Sequence, residues 1–184
     1  MITKQTKFIL AITLQAIIIF AIVIFKVSIL AGGTDVFLRI APVDPRDMLR
    51  GDYVTFRYDI SNLDSYLFYG QQIRNGDMVY VVLAQSGAYW SAQHVQKTKP
   101  LDASTFIKGT VASGGMDTEF NVFQNQRFGS SRIHVIYGVE DYFIPEGKGR
   151  GFNFGNKNVA ARVVVDENGN AVLKQLYIDG KPWP

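Results

Sequence analysis

The uncharged stretch FILAITLQAIIIFAIVIF, residues 8–25, decides the architecture of this chain. Lys4 and Lys7 precede it and Lys26 follows it. Eighteen residues in a helix rise roughly 27 Å, which approaches the ~30 Å thickness of the hydrocarbon core of a bilayer. Lys26 can extend its charged end toward the headgroups, so the apolar segment continues through residue 31. The sequence therefore predicts a transmembrane helix over residues 8–31.

The flanking lysines predict the orientation of this helix. Positive charges on a short N-terminal tail favour its retention in the cytoplasm. Residues 1–7 would then be a cytoplasmic tail, and residues 34–184 would form an extracytoplasmic domain. Membrane lipid around residues 8–31 is the first expected partner.

A cleaved signal peptide is the alternative for this segment. Such peptides also combine a basic tail, an apolar core and small residues at the cleavage site. Cleavage after Ala31 would place the bulky Ile29 where a small residue is required, and the apolar core exceeds the usual length. These features favour an uncleaved anchor.

The charge of the remaining chain argues against nucleic-acid binding. All 16 acidic residues follow residue 33, and 16 of the 19 basic residues do so too. The exported part is formally neutral and has no dense basic stripe, whereas phosphate binding requires a surplus of Lys and Arg on one face. The absence of cysteine excludes disulfides and thiolate chemistry.

Short runs of alternating apolar residues predict a mainly β domain. They are rich in Val, Ile, Tyr and Phe and are separated by Gly and Asn turn signals. The predicted strands are residues 36–40, 53–60, 78–84, 89–95, 106–111, 132–139, 159–165 and 171–178. Asn168 and Gly169, between the last two runs, predict a C-terminal β-hairpin.

Two segments depart from this alternation. Residues 44–51 predict one short helical turn, with Asp44 as N-cap, Pro45 at the first position and Gly51 as the left-handed stop. Residues 140–151 combine acids, aromatics and three glycines, and they predict a turn or short helix that leads into a mobile loop.

No catalytic, cofactor-binding or metal-binding residue is predicted. His94 and His134 fall on predicted strands without Cys, Asp or Glu at ligand spacing, so we interpret them as partly exposed sheet residues. Ser130 and Ser131 lack the Gly-x-Ser-x-Gly pattern of a nucleophile elbow.

Two surface features remain as candidates for function. The first is a run of alternating charges that could form an internal ion-pair network or a recognition edge. In the network, Arg46 or Arg50 would pair with Asp52 or Glu140, beside Tyr53 and Tyr58. The second is a set of aromatic groups, which form a binding patch if they are exposed and fill the core if they are not: residues 66–69, 89–90 and 142–143.

Residues 51–58, GDYVTFRY, resemble the signature of the GDYXXLXY family of bacterial membrane-anchored proteins, with Phe56 in place of its leucine. Residues 42–47, residues 137–147 and the closing hairpin are similar to that family in the same order. The resemblance implies a single-pass protein of the bacterial inner membrane with a β-rich, periplasmic domain, often encoded beside a polytopic membrane protein, and no established activity. The candidate motif and interaction residues are Asp44, Pro45, Arg46, Asp47, Arg50, Gly51, Asp52, Tyr53, Phe56, Tyr58, Glu140, Tyr142, Phe143 and Glu146.

Residues 45–54 are also similar to a stretch of signal peptidases, which are anchored β-proteins with a catalytic Ser and Lys. The position of their serine is occupied here by Pro42, and the first lysine after Lys26 is Lys97. We therefore expect a non-enzymatic accessory or scaffold subunit of a membrane protein complex, with a polytopic membrane protein as partner. The alternatives are a domain that binds a small molecule or polymer of the cell envelope and, last, a hydrolase.

Overall fold

The computed structural model describes residues 3–41, 53–102, 104–115, 132–143 and 157–183. One long helix, α1 (Lys4–Gly32), precedes a β domain. The strands are β1 (Thr34–Ala41), β2 (Tyr53–Thr55), β3 (Arg57–Tyr58), β4 (Asn62–Asp64), β5 (Met78–Ser86), β6 (Tyr89–Gln96), β7 (Phe106–Ser113), β8 (Arg132–Ile136), β9 (Asp141–Phe143), β10 (Val159–Val165), β11 (Ala171–Ile178) and β12 (Lys181–Trp183). Short 3-10 helices follow β3 (Asp59–Ser61) and β4 (Ser65–Phe68).

The apolar helix is as the sequence predicts. Thr3 caps it, because its Oγ1 accepts the N–H of Thr6. The helix has the length and composition to cross a membrane, and its hydrophobic window is not covered by the β domain. Among the described residues of the domain, β10 and β11 contact α1, and Ile29 in the last turn of the helix is buried.

The strands form two five-stranded antiparallel sheets that wrap around one core as a near-barrel. The first sheet has the order β12-β11-β10-β1-β3, and the second has the order β4-β8-β7-β5-β6. The chain passes from the first sheet to the second between β3 and β4, and β6 lies beside β1. β2 and β9 pair separately as a two-stranded ribbon. Alternate residues of β1 (Val36, Leu38 and Ile40) point into the shared core.

β10 departs from simple alternation, since six of its seven residues are buried. Val163 and Val165 belong to the core. Val164 points to the opposite face, where α1 ends: a Cβ added to Gly33 would lie 2.6 Å from its Cγ1. The sequence of β10 is almost continuously apolar because one face of the strand packs in the core and the other meets the end of α1.

Most predicted strands are confirmed, and two are shorter than predicted. The run 53–60 is divided into β2, β3 and a 3-10 turn, and the run 132–139 ends at Ile136. The prediction of a turn or short helix from residue 140 is wrong at its start. Residues Asp141–Phe143 form β9, because they pair with β2. The predicted helical turn at residues 44–51 and the loop after Phe143 lie outside the described residues.

The C-terminal hairpin is confirmed, with β10 and β11 paired in the predicted positions. Gly169 has a φ of 77°, which glycine adopts without strain. Asp166 closes the turn, because its Oδ1 accepts the N–H groups of Asn168 and Asn170, both at 2.8 Å.

Candidate functional site

Two buried tyrosines connect the family-like motif to the segment after β8. The hydroxyl of Tyr58 donates to the carbonyl of Val139 at 2.5 Å, and that of Tyr137 donates to the carbonyl of Ile60 at 2.6 Å. Their rings meet edge to face, with centroids 6.5 Å apart. We call this reciprocal pair the Tyr58–Tyr137 bridge. It joins segments that are about 80 residues apart in the sequence.

Burial keeps both phenols protonated. It raises the pKa of Tyr58 and of Tyr137 well above the usual value, and the charge of Glu140 raises both further. Each hydroxyl is therefore a hydrogen-bond donor at any physiological pH, and neither is poised to act as a base. The bridge fits a structural role.

Glu140 shapes the turn on which the bridge depends. Its carboxylate accepts the N–H of Tyr137 at 2.5 Å and that of Val139 at 2.9 Å. Gly138 between them has a φ of 76°, and the carbonyl of Glu140 accepts the N–H of Phe56 at 3.0 Å. β8 ends at Ile136 because these amides bond to a side chain instead of a neighbouring strand.

The β2–β9 ribbon extends this contact. Val54 faces Tyr142 in the register, and the hydroxyl of Thr55 donates to Asp141 at 2.6 Å. The ring of Tyr142 packs against Trp183, whereas Phe143 is 77% exposed. The ribbon therefore presents one aromatic inward and one outward.

The described predicted site residues are Tyr53, Phe56, Tyr58, Glu140, Tyr142 and Phe143. The structure brings Phe56, Tyr58 and Glu140 together around the bridge, places Tyr142 half-buried on the ribbon and exposes Phe143. Asp44, Pro45, Arg46, Asp47, Arg50, Gly51, Asp52 and Glu146 lie outside the described residues. The pairing of Glu140 with Arg46 or Arg50 stays a prediction.

Sequence reasoning did not single out Tyr137 as a site residue. It follows an alternating strand directly and precedes a glycine with positive φ. An aromatic residue before a turn glycine only weakly indicates a functional position. The hydrogen bond to the carbonyl of Ile60 joins distant segments and cannot be predicted from the local sequence.

A cleft of about 310 Å³ lies near the C-terminal end of β1, where Arg39, Asp59 and Ile60 line it, and we call it the Arg39 cleft. The guanidinium of Arg39 lies 4.7 Å from the centre of the Tyr89 ring and 4.0 Å from the carboxylate of Asp59. Burial raises the pKa of Asp59, and Arg39 partly opposes this shift. Trp90, Asn62 and Ser91 also line the cleft, which thus combines two aromatic rings with several polar groups.

The remaining chemistry of the described residues is sparse. They contain no group of three or more His, Asp or Glu side chains that could hold a metal ion. His94 lies half-buried on β6 with its ring 6.1 Å from that of Tyr69, and His134 contacts Asn62 at 3.0 Å on β8. Both histidines are thus the partly exposed sheet residues that the sequence predicts.

Comparison with known proteins gives one match. The family model described as GDYXXLXY protein matches residues 15–176. The chain matches no curated protein and no solved structure. The match extends from within the apolar helix to β11, so it includes the bridge, the ribbon and the Arg39 cleft.

Proposed function

The chain belongs to the GDYXXLXY family, and from this premise we propose that it is a non-enzymatic, single-pass membrane protein. Its β domain acts as an accessory or scaffold subunit of a membrane protein complex. The N-terminal helix indicates anchoring or secretion in any case. The proposal adds that the helix is retained, that the tail is cytoplasmic and that the domain is periplasmic.

The junction between helix and domain carries this proposal. Gly33 alone separates α1 from β1, and its N–H donates to the carbonyl of Ile29 at 2.9 Å. The helix continues without interruption past Ala31, after which the alternative signal peptide would be cut, whereas a protease needs an extended substrate. The burial of Ile29 against β10 and β11 further supports a helix that remains attached.

The residues that resemble the family signature support a scaffold rather than a catalyst. Phe56 and Tyr58 are almost fully buried, and the only polar atom that either side chain carries is bonded to a backbone carbonyl. A group in this position cannot touch a substrate. These two residues of the motif would therefore specify the fold, and exposed residues elsewhere would recognise the partner.

Tyr66 and Tyr69 are the surface that we assign to the partner. They are 71% and 74% exposed and lie on or next to the same 3-10 turn. Aromatic side chains are enriched at the centres of protein interfaces because they bury a large area at low entropic cost. Tyr69 adopts a left-handed conformation (φ 47°), which fixes its direction.

Photo-crosslinking in intact membranes tests this assignment. A photoreactive amino acid replaces Tyr66 or Tyr69, and the control carries it at Lys174, an exposed position on β11. We expect a crosslink to one polytopic membrane protein from positions 66 and 69 and none from position 174. A chain that gives no crosslink at either tyrosine and purifies from mild detergent as a monomer without a membrane protein would contradict the proposal.

The Arg39 cleft favours a second candidate function, the binding of a polyhydroxylated molecule of the cell envelope. Trp90 and Tyr89 offer an aromatic wall, and Arg39, Asp59 and Asn62 offer hydrogen-bonding groups to hydroxyls. The chain contains two tryptophans, so Trp183→Phe leaves Trp90 as the sole reporter. Saturable fluorescence change with chitotetraose, lost in Arg39→Ala, would support binding, and an unchanged spectrum would remove this candidate for glycans of that type.

A further inference from the structure

A second cleft, of about 530 Å³, lies where α1 meets the β domain, and we call it the helix-end cleft. Gly32 and Thr34 form one wall, and Val165 to Glu167 of the C-terminal hairpin form another. The third wall is the loop between β6 and β7. The start of β7, which follows this loop, is held beside the hairpin because the N–H of Lys108 donates to the carbonyl of Gly169 at 2.8 Å.

The length of α1 places this cleft at the level of the lipid headgroups. A hydrocarbon core of ~30 Å takes about 20 helical residues, so the predicted anchor at residues 8–31 would leave the hydrocarbon near residue 27 and continue into the headgroup layer. Gly32 lies five residues later, about 7 Å beyond that boundary. Ile29, which is nearer to it, is already covered by β10 and β11. The underside of the domain therefore reaches into the headgroup layer.

Leu101 is fully exposed on the loop that borders the cleft. A single exposed leucine is ordinary on a protein surface. Leu101 is notable because it lies beside the end of α1, where the domain is closest to the proposed membrane. Pro100 before it is buried, and Lys99 is held by a 2.7 Å hydrogen bond from its Nζ to Oδ1 of Asn168. On the other side, the carbonyl of Thr105 accepts the N–H of Leu83 at 2.8 Å. The loop is thus attached at both ends and presents an apolar tip.

We propose that Leu101 inserts into the lipid interface beside α1 and gives the domain a second membrane contact. This inference rests on the proposed membrane anchoring of α1. The contact is apolar rather than electrostatic, because Lys99 is accompanied by Asp102, Asp166 and Glu167 around the cleft. Lys97 nearby is paired with Asp77 at 2.7 Å. A mixed set of charges gives little net attraction for anionic headgroups.

Fluorescence quenching in vesicles tests the insertion, and the absence of cysteine allows single-site labelling of the full chain. Leu101→Cys, Tyr66→Cys and Ile19→Cys each receive an environment-sensitive nitrobenzoxadiazole label. The chains are reconstituted into phosphatidylcholine vesicles with or without nitroxide-labelled lipid. Position 66 lies on the 3-10 turn that borders the Arg39 cleft, away from α1, and serves as the exposed control. Position 19 reports on the helix itself.

We expect the label at position 101 to emit at shorter wavelength than that at 66 and to be quenched at least about twofold more by nitroxide lipid. The same quenching is expected when half of the lipid is phosphatidylglycerol. Equal quenching at 101 and 66, with strong quenching at 19, would overturn the insertion and leave the anchor intact. Absence of quenching at 19 would overturn both.

Two further outcomes also decide the question. A blue-shifted label at 101 that nitroxide lipid does not quench would mean that protein, such as a second copy of the chain, covers the loop. Quenching that requires phosphatidylglycerol would mean that the lysines attract the lipid. Either result would overturn the apolar contact proposed here.

Discussion

Tyr58 and Tyr137 carry two hydroxyl groups into the core of the domain, and each hydroxyl satisfies a backbone carbonyl on the segment of the other. A buried carbonyl without a donor is costly, so each hydroxyl matters more than the modest net value of an ordinary hydrogen bond. Phe56, whose ring meets that of Tyr58 edge to face at 5.4 Å, fills the adjoining space. Through the bridge, a residue of the sequence motif connects two segments of the chain that are about 80 residues apart.

Tyr58→Phe is expected to lower the free energy of unfolding by about 1–3 kcal/mol, because the buried carbonyl of Val139 loses its donor. Urea-induced unfolding of the full chain in mild detergent, followed by circular dichroism, measures the loss. Tyr66→Phe removes the same atom from an exposed ring and is expected to stay within about 0.5 kcal/mol of the parent. Equal stability of the two variants would refute the structural role of the bridge.

Asp35 on β1 and Asp59 on the 3-10 turn after β3 predict opposite effects of pH on stability. Hydrogen bonds from Arg162, both at 2.7 Å, lower the pKa of Asp35. The unfolded chain then binds more protons, so this contribution to stability is present above the unfolded pKa and is lost as pH falls. Burial raises the pKa of Asp59, so the folded chain binds more protons and gains relative stability as pH falls.

We therefore expect Asp35→Asn to reduce the loss of stability between about pH 6 and pH 3, and Asp59→Asn to increase it. Denaturant midpoints at a series of pH values measure both effects. Both carboxylates are substantially exposed, so the changes will be small, and their signs are the test. Shifts of the same sign in the two variants would contradict this reasoning.

At the scale of elements, α1 and β10 depend on each other. The last turn of the helix rests on Val164, a residue that a simple alternating strand would leave to solvent. Position 33 requires glycine because a Cβ atom there would collide with Val164. Its backbone conformation, with a φ of −83°, is one that other residues also adopt. The neighbouring Gly32 has open space where its Cβ would be.

Gly33→Ala and Gly32→Ala form a matched pair that tests this contact. A Cβ at Gly33 would lie 2.6 Å from Val164 Cγ1 and 2.7 Å from the Ile29 carbonyl oxygen, so the helix must move away. We expect Gly33→Ala to cost about 1–3 kcal/mol, seen as a lower Tm in detergent, and Gly32→Ala to leave the Tm nearly unchanged. A Tm for Gly33→Ala equal to that of Gly32→Ala would show that the helix is not closely docked.

The same scale shows what the sequence could predict. Strands β5, β6, β7, β10 and β11 are long and strongly alternating or apolar, and local pattern alone locates them. β9 and β12 have three residues each and exist only because β2 and β11 pair with them, which no local pattern encodes. Phe56 and Tyr58 could be selected from the signature, but their connection to residues 137–140 depends on tertiary contacts.

At the scale of the whole molecule, retention of the helix is the decisive expectation. Removal of residues 1–31 would expose the face of β10 and β11 that Ile29 covers. We expect mass spectrometry of the membrane fraction to show the uncleaved chain, and alkaline phosphatase fused after Pro184 to be active, as it is only outside the cytoplasm. A soluble mature chain that begins near residue 32, or an inactive fusion, would contradict the proposed topology.

The one-residue junction at Gly33 fixes the orientation of the β domain relative to α1. A linker of several glycines would let the β domain rotate freely relative to the helix. Here the last turn of α1 and the first residues of β1 are joined directly and move together. In the proposed complex, the side of α1 that packs against a neighbouring transmembrane helix therefore also determines the direction in which Tyr66 and Tyr69 face.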